Sequence, residues 1–243
     1  ASAEPEMTAA LLDHGKWTPT AVRTVDRVND FKPAANVELT RYGGWRARQA
    51  GATGFFRTEK IDGRWWMVDP EGSLFLSAGL CSVNREGVNR DLSVADKRFG
   101  SAEGWAAETA KLLKARRFNS LGCWSDSEPF RTSGQSMPYF PRWNFMSAYR
   151  NQRDPKLGPK GSPNECMPLF DDAFEAFCDR HARQLEATRN DPWLVGHFSD
   201  NELPFRPDLL ELYLKLPETD SGHQAAGKWL AGYRQKKART GET

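Results

Sequence analysis

Trp193-Leu194-Val195-Gly196-His197-Phe198-Ser199-Asp200-Asn201-Glu202 is the stretch on which the fold turns. Its first half is apolar and β-prone and reads as a strand; its second half becomes abruptly polar, which a core does not require. Just before it, Asn190-Asp191-Pro192 stops a helix. In that helix Phe174, Phe177, Cys178, His181 and Leu185 recur at i, i+3, i+4, i+7 and i+11, with Asp171 or Asp172 at its cap. Helix, breaker, strand, then polar residues where the strand stops is how a parallel α/β sheet delivers side chains to its functional rim.

The same unit recurs toward the N-terminus. Residues 101 to 117 predict a helix capped by Ser101, with Trp105, Thr109, Leu112, Leu113 and Arg116 near one face. Phe118 to Trp124 follows as a short strand, and a third strand is expected near Met137–Phe140. The segment from Ser125 to Phe170, rich in Pro, Gly and Arg, is expected to hold a long functional loop around 141 to 168, its Arg142 to Arg153 portion either solvated or bordering a substrate cleft. Ser73-Leu74-Phe75-Leu76-Ser77-Ala78-Gly79-Leu80 is nearly continuous in apolar and small residues, as a strand buried on both faces would be. Ahead of it, Asp62-Gly63 joins two β-prone runs and signals a type I′ hairpin, because both central residues must take positive φ. Asp69-Pro70-Glu71-Gly72 marks a second turn. Beyond Glu202, helices are expected from Pro207 and from about Ser221 into the basic tail.

Alternating strands and helices predict an α/β fold, and a (β/α)8 TIM barrel within that class. About four strands are spent by residue 199, and residues 200–243 are too few for four more. The chain therefore reads as a lead-in over residues 1–53 followed, over 54–243, by the first four strand–helix units of a barrel. A half-barrel leaves sheet edges and an apolar face open, so the chain is expected to need its C-terminal half or to self-associate.

Composition narrows the partners. With 34 basic against 32 acidic side chains, no charge excess recruits nucleic acid or an anionic membrane. No apolar run approaches the roughly 20 residues of a membrane-spanning helix. The four histidines are scattered and the four cysteines form no C-x-x-C pair, so no metal ligand set and no cofactor is expected. The cysteines read as small buried hydrophobes. The nine Trp and fourteen Phe are many for this length, and Trp also suits the apolar faces of sugar rings.

Three strand ends are candidate ligand contacts: Cys81 to Arg85, Trp124 to Asp126, and Ser199 to Glu202. Glycoside hydrolysis needs two carboxyl groups, one to protonate the leaving oxygen and one to attack or to activate water. Glu202 stands where a strand gives way to a loop, beside an amide able to hold a hydroxyl. By position alone Asn84, Trp124, Asp126 and Asp200 are sugar-contact candidates. His197 differs from Glu202 by an odd number of positions, so strand alternation puts it on the opposite face, as a core histidine.

Trp193 to Glu202 resembles the fourth-strand signature of clan A retaining glycoside hydrolases. In that clan an Asn-Glu pair ends this strand, Glu as acid/base and Asn bonding the sugar's 2-hydroxyl. Gly54 to Gly72, Phe118 to Asp126 and Leu216 to Gln224 are similar to the corresponding parts of family-50 β-agarases. The resemblance implies retaining hydrolysis of β-1,4 bonds in a galactose-containing polysaccharide such as agarose, with Glu202 as acid/base and Asn201 as its partner. It also implies a secreted or periplasmic protein, in keeping with the Ala-Ser-Ala start. The family's nucleophilic Glu lies on the seventh strand, and nothing here matches it; Glu211 and Glu218 come too soon. A β-galactosidase of the same clan, or a non-catalytic carbohydrate-binding half-barrel, are the alternatives.

Overall fold

The computed structural model describes residues 9–13, 15–20, 37–86, 92–153 and 166–240. The chain forms two compact units, Ala1–Glu38 and Leu39–Thr243. In the first, β1 (Ala9–Asp13) pairs antiparallel with β2 (Lys16–Thr20) around Gly15 at φ 79°.

The second unit opens with β3 (Trp45–Gln49), β4 (Arg57–Ile61), β5 (Arg64–Val68) and β6 (Ser73–Phe75), an antiparallel sheet in the order β3-β6-β5-β4. Residues 39–53 of the expected lead-in thus contribute a strand to this sheet. The Asp62-Gly63 turn has φ of 50° and 79° at its two residues, as a type I′ hairpin demands. At the second turn the Gly72 amide donates to the Asp69 carbonyl, with Gly72 at φ 89°. Asp69 itself is fully buried and accepts from the Ser73 amide at 2.8 Å and from the Thr40 hydroxyl. Gly44 makes room for it, since a Cβ there would lie 2.3 Å from the Asp69 carboxylate.

The expected continuous strand over Ser73–Leu80 is in fact two. Ser73–Phe75 belongs to the antiparallel sheet, and β7 (Gly79–Leu80) opens a parallel one by pairing with β8 (Ser120–Leu121). Between them Asn119 replaces the sheet ladder with its side chain. Its Oδ1 accepts from the Ala78 amide at 2.8 Å and its Nδ2 donates to the Leu76 carbonyl at 2.9 Å. Nor is the strand buried on both faces, because Leu76 is 77% exposed.

From β7 onward the parallel register is sequential. Leu121 bridges Tyr139, Tyr139 bridges Leu194, and Arg142 bridges Phe198, all parallel. Helices α1 (Ser93–Phe99) and α2 (Ala102–Ala115) lie in the first crossover and α3 (Glu128–Thr132) in the second. The third crossover holds α4 (Phe145–Gln152), α5 (Asp172–Ala182) and a 3-10 turn at Arg183–Thr188. Helices α6 (Leu209–Leu214) and α7 (Ser221–Thr240) follow. The fold is mixed α/β with four consecutive parallel strand positions, and the described residues close no barrel.

Ser101 caps α2 as expected, its hydroxyl accepting from the Gly104 amide at 3.0 Å. The buried face is Trp105, Ala106, Ala110 and Leu113, rotated from the expected stripe, so Leu112 is 58% exposed. These residues pack on Leu121, Phe130, Met137 and Tyr139 to form the main core. In α5 the expected stripe holds: Phe177 is buried, and Phe174, Cys178, His181 and the later Leu185 are half-buried. Among the cysteines, all free, Cys123 and Cys166 are buried and Cys178 half-buried, in line with a mostly buried set; Cys81 is exposed.

The largest correction concerns Arg142 to Arg153. Instead of a solvated loop it contains α4, and Arg153 is 3% exposed. Its Nε and Nη2 donate to the two oxygens of Asp171 at 2.5 and 3.1 Å, and Nη2 also reaches Asp220 at 3.3 Å. Asp171 stands at the start of α5, but its carboxylate makes no capping bond there. It accepts instead from Arg153, from the Tyr149 hydroxyl at 3.1 Å and from Ser221. Burial raises the Asp171 pKa, but these hydrogen bonds and the charge of Arg153 outweigh it and hold the carboxyl below its ordinary value.

Asp171→Asn should lower stability by up to about 3–5 kcal/mol, less whatever the remaining contact to Asp220 offsets, because Arg153 loses the shorter of its two ion pairs; a reduced urea midpoint measures it. In the parent the Asp171 contribution is complete above about pH 4 and is lost as pH falls through the depressed value. Urea titrations of this variant should lose the part of the acid-limb slope that Asp171 contributes.

Candidate active site

The parallel strands carry their polar residues out at one rim, where backbone pairing stitches the exits together. The Ser82 amide donates to the Cys123 carbonyl at 3.0 Å and the Val83 amide to Ser125 Oγ at 3.1 Å. The Asp126 amide donates to the Val83 carbonyl, and Asp126 Oδ2 accepts from the Arg85 amide at 2.9 Å. One oxygen of Asp126 is therefore committed to the backbone of the neighbouring exit. Asn84, in the loop so held, is exposed.

Three exits share an uncommon backbone. Ser82, Trp124 and Glu202 have φ of 58°, 62° and 48°, in the left-handed region that non-glycine residues seldom occupy. Such conformations cost about 1–3 kcal/mol each and concentrate at functional sites. Their effect here is to turn the chain sharply at the end of each strand.

Trp124 is 42% exposed, and the Arg142 guanidinium carbon lies 5.2 Å from its ring centroid, within cation–π range. Arg142 is also the residue that bridges Phe198 in the parallel register. Next to it, Trp143 Nε1 donates to His197 Nδ1 at 2.8 Å. The Trp143 amide donates to the Phe198 carbonyl at 2.8 Å, and the Phe145 amide to the Ser199 carbonyl at 3.3 Å. Asp200 Oδ1 then accepts from the Met146 amide at 2.9 Å. Burial pushes the Asp200 carboxyl above its ordinary value, opposed by that hydrogen bond and by the charges of His181, Arg142 and Arg150.

Asn201 and Glu202 come directly after this anchored segment. Both are exposed, and neither side chain makes a hydrogen bond to the described residues. Hydrogen bonds tie the Asn84 loop to Asp126, the Arg142 guanidinium lies over Trp124, and Asp200 is tied to Met146, with Asn201 and Glu202 exposed just beyond. Glu211 lies within α6 and Glu218 in the turn before α7. Among the described residues no group of three or more His, Cys, Asp and Glu side chains is placed to hold a metal.

The sequence puts Arg142 to Arg153 in a solvated loop or at a cleft border without singling out Arg142 or Trp143, and it puts His197 in the core. His197 is exposed at the rim and is not a core histidine. The parity rule failed because it holds only along a continuous strand, and the turn ending at Glu202 breaks the alternation.

No family model matches this chain. It is 42% identical to β-agarase B of Vibrio sp. (strain JT0107) over 229 residues, an alignment covering 67% of this chain and 23% of that protein. This chain is similar to part of a β-agarase. It spans about a quarter of the length of that curated relative. The chain also superposes on the crystal structure of BpGH50 with a TM-score of 0.79 at 22% identity, over 95% of this chain and 55% of that one. An exo-β-agarase structure matches with a TM-score of 0.61 at 20% identity, over 86% of this chain and 41% of that one. The agarase AgWH50C matches at 0.58 and 20%, over 79% and 37%. At these identities the structures share the fold.

Desolvation holds the His197 pKa below its ordinary value, and the hydrogen bond from Trp143 needs Nδ1 unprotonated. Protonation removes that acceptor. The contact and its contribution to stability are complete above about pH 6.5 and are lost as pH falls through the lowered value. Tryptophan emission of the parent should change on acidification below pH 6.5, and that component should vanish in both Trp143→Phe and His197→Ala.

Proposed function

We propose that this chain supplies the acid/base side of a retaining β-agarase, built on the first four strand–helix units of a (β/α)8 barrel within residues 54–243. The observation that carries the reading is Glu202 itself. It is an exposed carboxylate on a sharp left-handed turn, directly beyond the fourth of four consecutive parallel strand positions, in a chain 42% identical to a β-agarase over its matched part.

In a double displacement Glu202 protonates the glycosidic oxygen as the bond to the anomeric carbon breaks, while a second carboxylate attacks that carbon from the opposite face. Glu202, now ionised, then takes a proton from the water that releases the sugar. Asn201 would hold the 2-hydroxyl beside the reacting carbon, where a hydrogen bond strengthens in the oxocarbenium-like transition state. Trp124 offers an exposed ring for stacking on a sugar face, with Asn84, Asp126 and Asp200 as further polar residues near the rim. The two carboxyl groups of a retaining site stand about 5–5.5 Å apart. By the resemblance to family-50 β-agarases, whose nucleophilic Glu lies on the seventh strand, the second carboxylate is assigned to polypeptide beyond these four units. A galactan polymer cannot cross a membrane, which favours a secreted or periplasmic setting.

The described residues close no barrel, and this favours a second reading, a segment that binds agar-type chains without cleaving them. Exposed Leu76, Phe198, Phe205, Trp229 and Tyr233 support a need for covering polypeptide, whether the remaining barrel or a second copy.

Reducing-end release from agarose should be compared for the parent and Glu202→Gln. An active parent should lose activity by about 10²- to 10⁴-fold on the substitution, the usual worth of a general acid/base. A parent that binds agaro-oligosaccharides yet releases no reducing ends favours the binding reading.

A further inference from the structure

We propose that Asp200 is a positioning residue: by capping α4 from across the sheet, it fixes where the chain leaves the fourth strand and so where Asn201 and Glu202 stand. The inference rests on the reading of Glu202 as the acid/base, and gives Asp200 a role other than sugar ligand.

Helix α4 begins without a cap of its own. Asn144 occupies the cap position with φ −94° and ψ 72°, and its side chain makes no capping hydrogen bond. An α-helix starts with four amide donors that have no intrahelical acceptor, and a carboxylate there gains both a hydrogen bond and the favourable end of the helix dipole. Asp200, 54 residues away in sequence, supplies that carboxylate to the Met146 amide. An aspartate usually caps its own helix; this one caps its neighbour's, which turns a local device into a tie between two strand exits.

The tie falls at a decisive place. Backbone pairing between the two exits stops with the Phe145 amide on the Ser199 carbonyl. The Asp200 side chain is the next contact, and after it neither the Asn201 nor the Glu202 side chain is held by any described residue. Glu202 follows two residues later at φ 48°. Release of Asp200 would free the backbone on which that turn is built. The groups facing the carboxylate are Arg142 on its own rim, Arg150 of α4, and His181 and Cys178 of α5. The cations and the Met146 hydrogen bond favour the ionised form, but burial outweighs them and raises the Asp200 pKa.

Keeping an ionised carboxylate there has a cost, because a carboxyl whose folded pKa is raised stabilises the fold less once it ionises. Asp200→Asn removes that cost but leaves an amide oxygen to accept from Met146. Asp200→Ala removes the acceptor.

The test is amide hydrogen exchange at Met146, Asn201 and Glu202 in the parent, Asp200→Asn and Asp200→Ala, with the backbone amide chemical shifts of 201 and 202 recorded in each. The Ala variant should exchange at Met146 and at 201–202 roughly tenfold faster or more, the worth of one hydrogen bond to a charged acceptor, and the 201–202 amide shifts should move. The Asn variant should keep both near the parent, with an equal or higher melting temperature. In the parent alone, the Met146 amide shift should titrate with the Asp200 carboxyl, a measurement that needs no variant to fold. Unchanged Met146 exchange in the Ala variant, or 201–202 amide shifts identical in all three, overturns the proposal. So does Asn behaving like Ala, which would make the charge itself the functional feature. An agaro-oligosaccharide affinity that falls in the Ala variant without a change in exchange would make Asp200 a sugar ligand instead. Failure of the parent to release reducing ends would count against the glycosidase reading, and the exchange results would still decide the tie.

Discussion

The Arg153 guanidinium, buried between Asp171 and Asp220, is the interaction on which the second half of this molecule depends. A cation in such a place is costly unless every donor finds an acceptor, so three segments are brought to it. Arg153 comes from the end of α4 and Asp171 from the start of α5. Asp220 and Ser221 come from the start of α7, where Asp220 also accepts from the Gly222 amide at 2.8 Å. The close approach extends to Gly222, where a Cβ would fall 2.6 Å from the Tyr213 ring. Helices separated by long stretches of chain are thereby given one relative placement, which apolar packing alone would specify less sharply.

From that anchor the order passes to the rim through α4. One end of the helix is held by the Arg153 cluster and the other by Asp200. Both attachments are charged hydrogen bonds to residues distant in sequence. A short helix has little stability of its own, because the cost of nucleation is spread over few bonds. Here the two ends fix a helix that in turn fixes the third and fourth strand exits. The exits themselves are turned by left-handed residues at Ser82, Trp124 and Glu202. Local strain and long-range ties together decide which side chains project.

Much of this architecture is written locally. Ser101 caps α2, the α5 stripe packs inward, and Asp62-Gly63 forms its hairpin, because each depends on residues within a turn or two. The strand positions near 79, 121, 139 and 194 were legible for the same reason: apolar and β-prone residues sit between helix and turn signals. Of the candidate site, the rim location of the Asn84, Trp124, Asp126 and Asp200 segments was legible too, since polar residues directly after strands have no core to fill. The rotated face of α2 was less so, because Leu112 and Ala106 compete for burial and only the facing residues choose between them.

The amino-acid sequence by itself determined the order of elements and the polar strand ends, since periodicity, caps and turns act over a few residues. Only the tertiary structure decided the rest. Asn119 splits Ser73–Leu80 between two sheets by bonding backbone more than 40 residues away. Arg153 is buried because two aspartates reach it, although nothing in its local sequence sets it apart from half-buried Arg142 and Arg150. Arg142, Trp143 and His197 become rim residues only when the third exit lies along the fourth. In each case the deciding partner is remote in sequence, and a charged or amide side chain carries no local sign of whether water or protein will satisfy it.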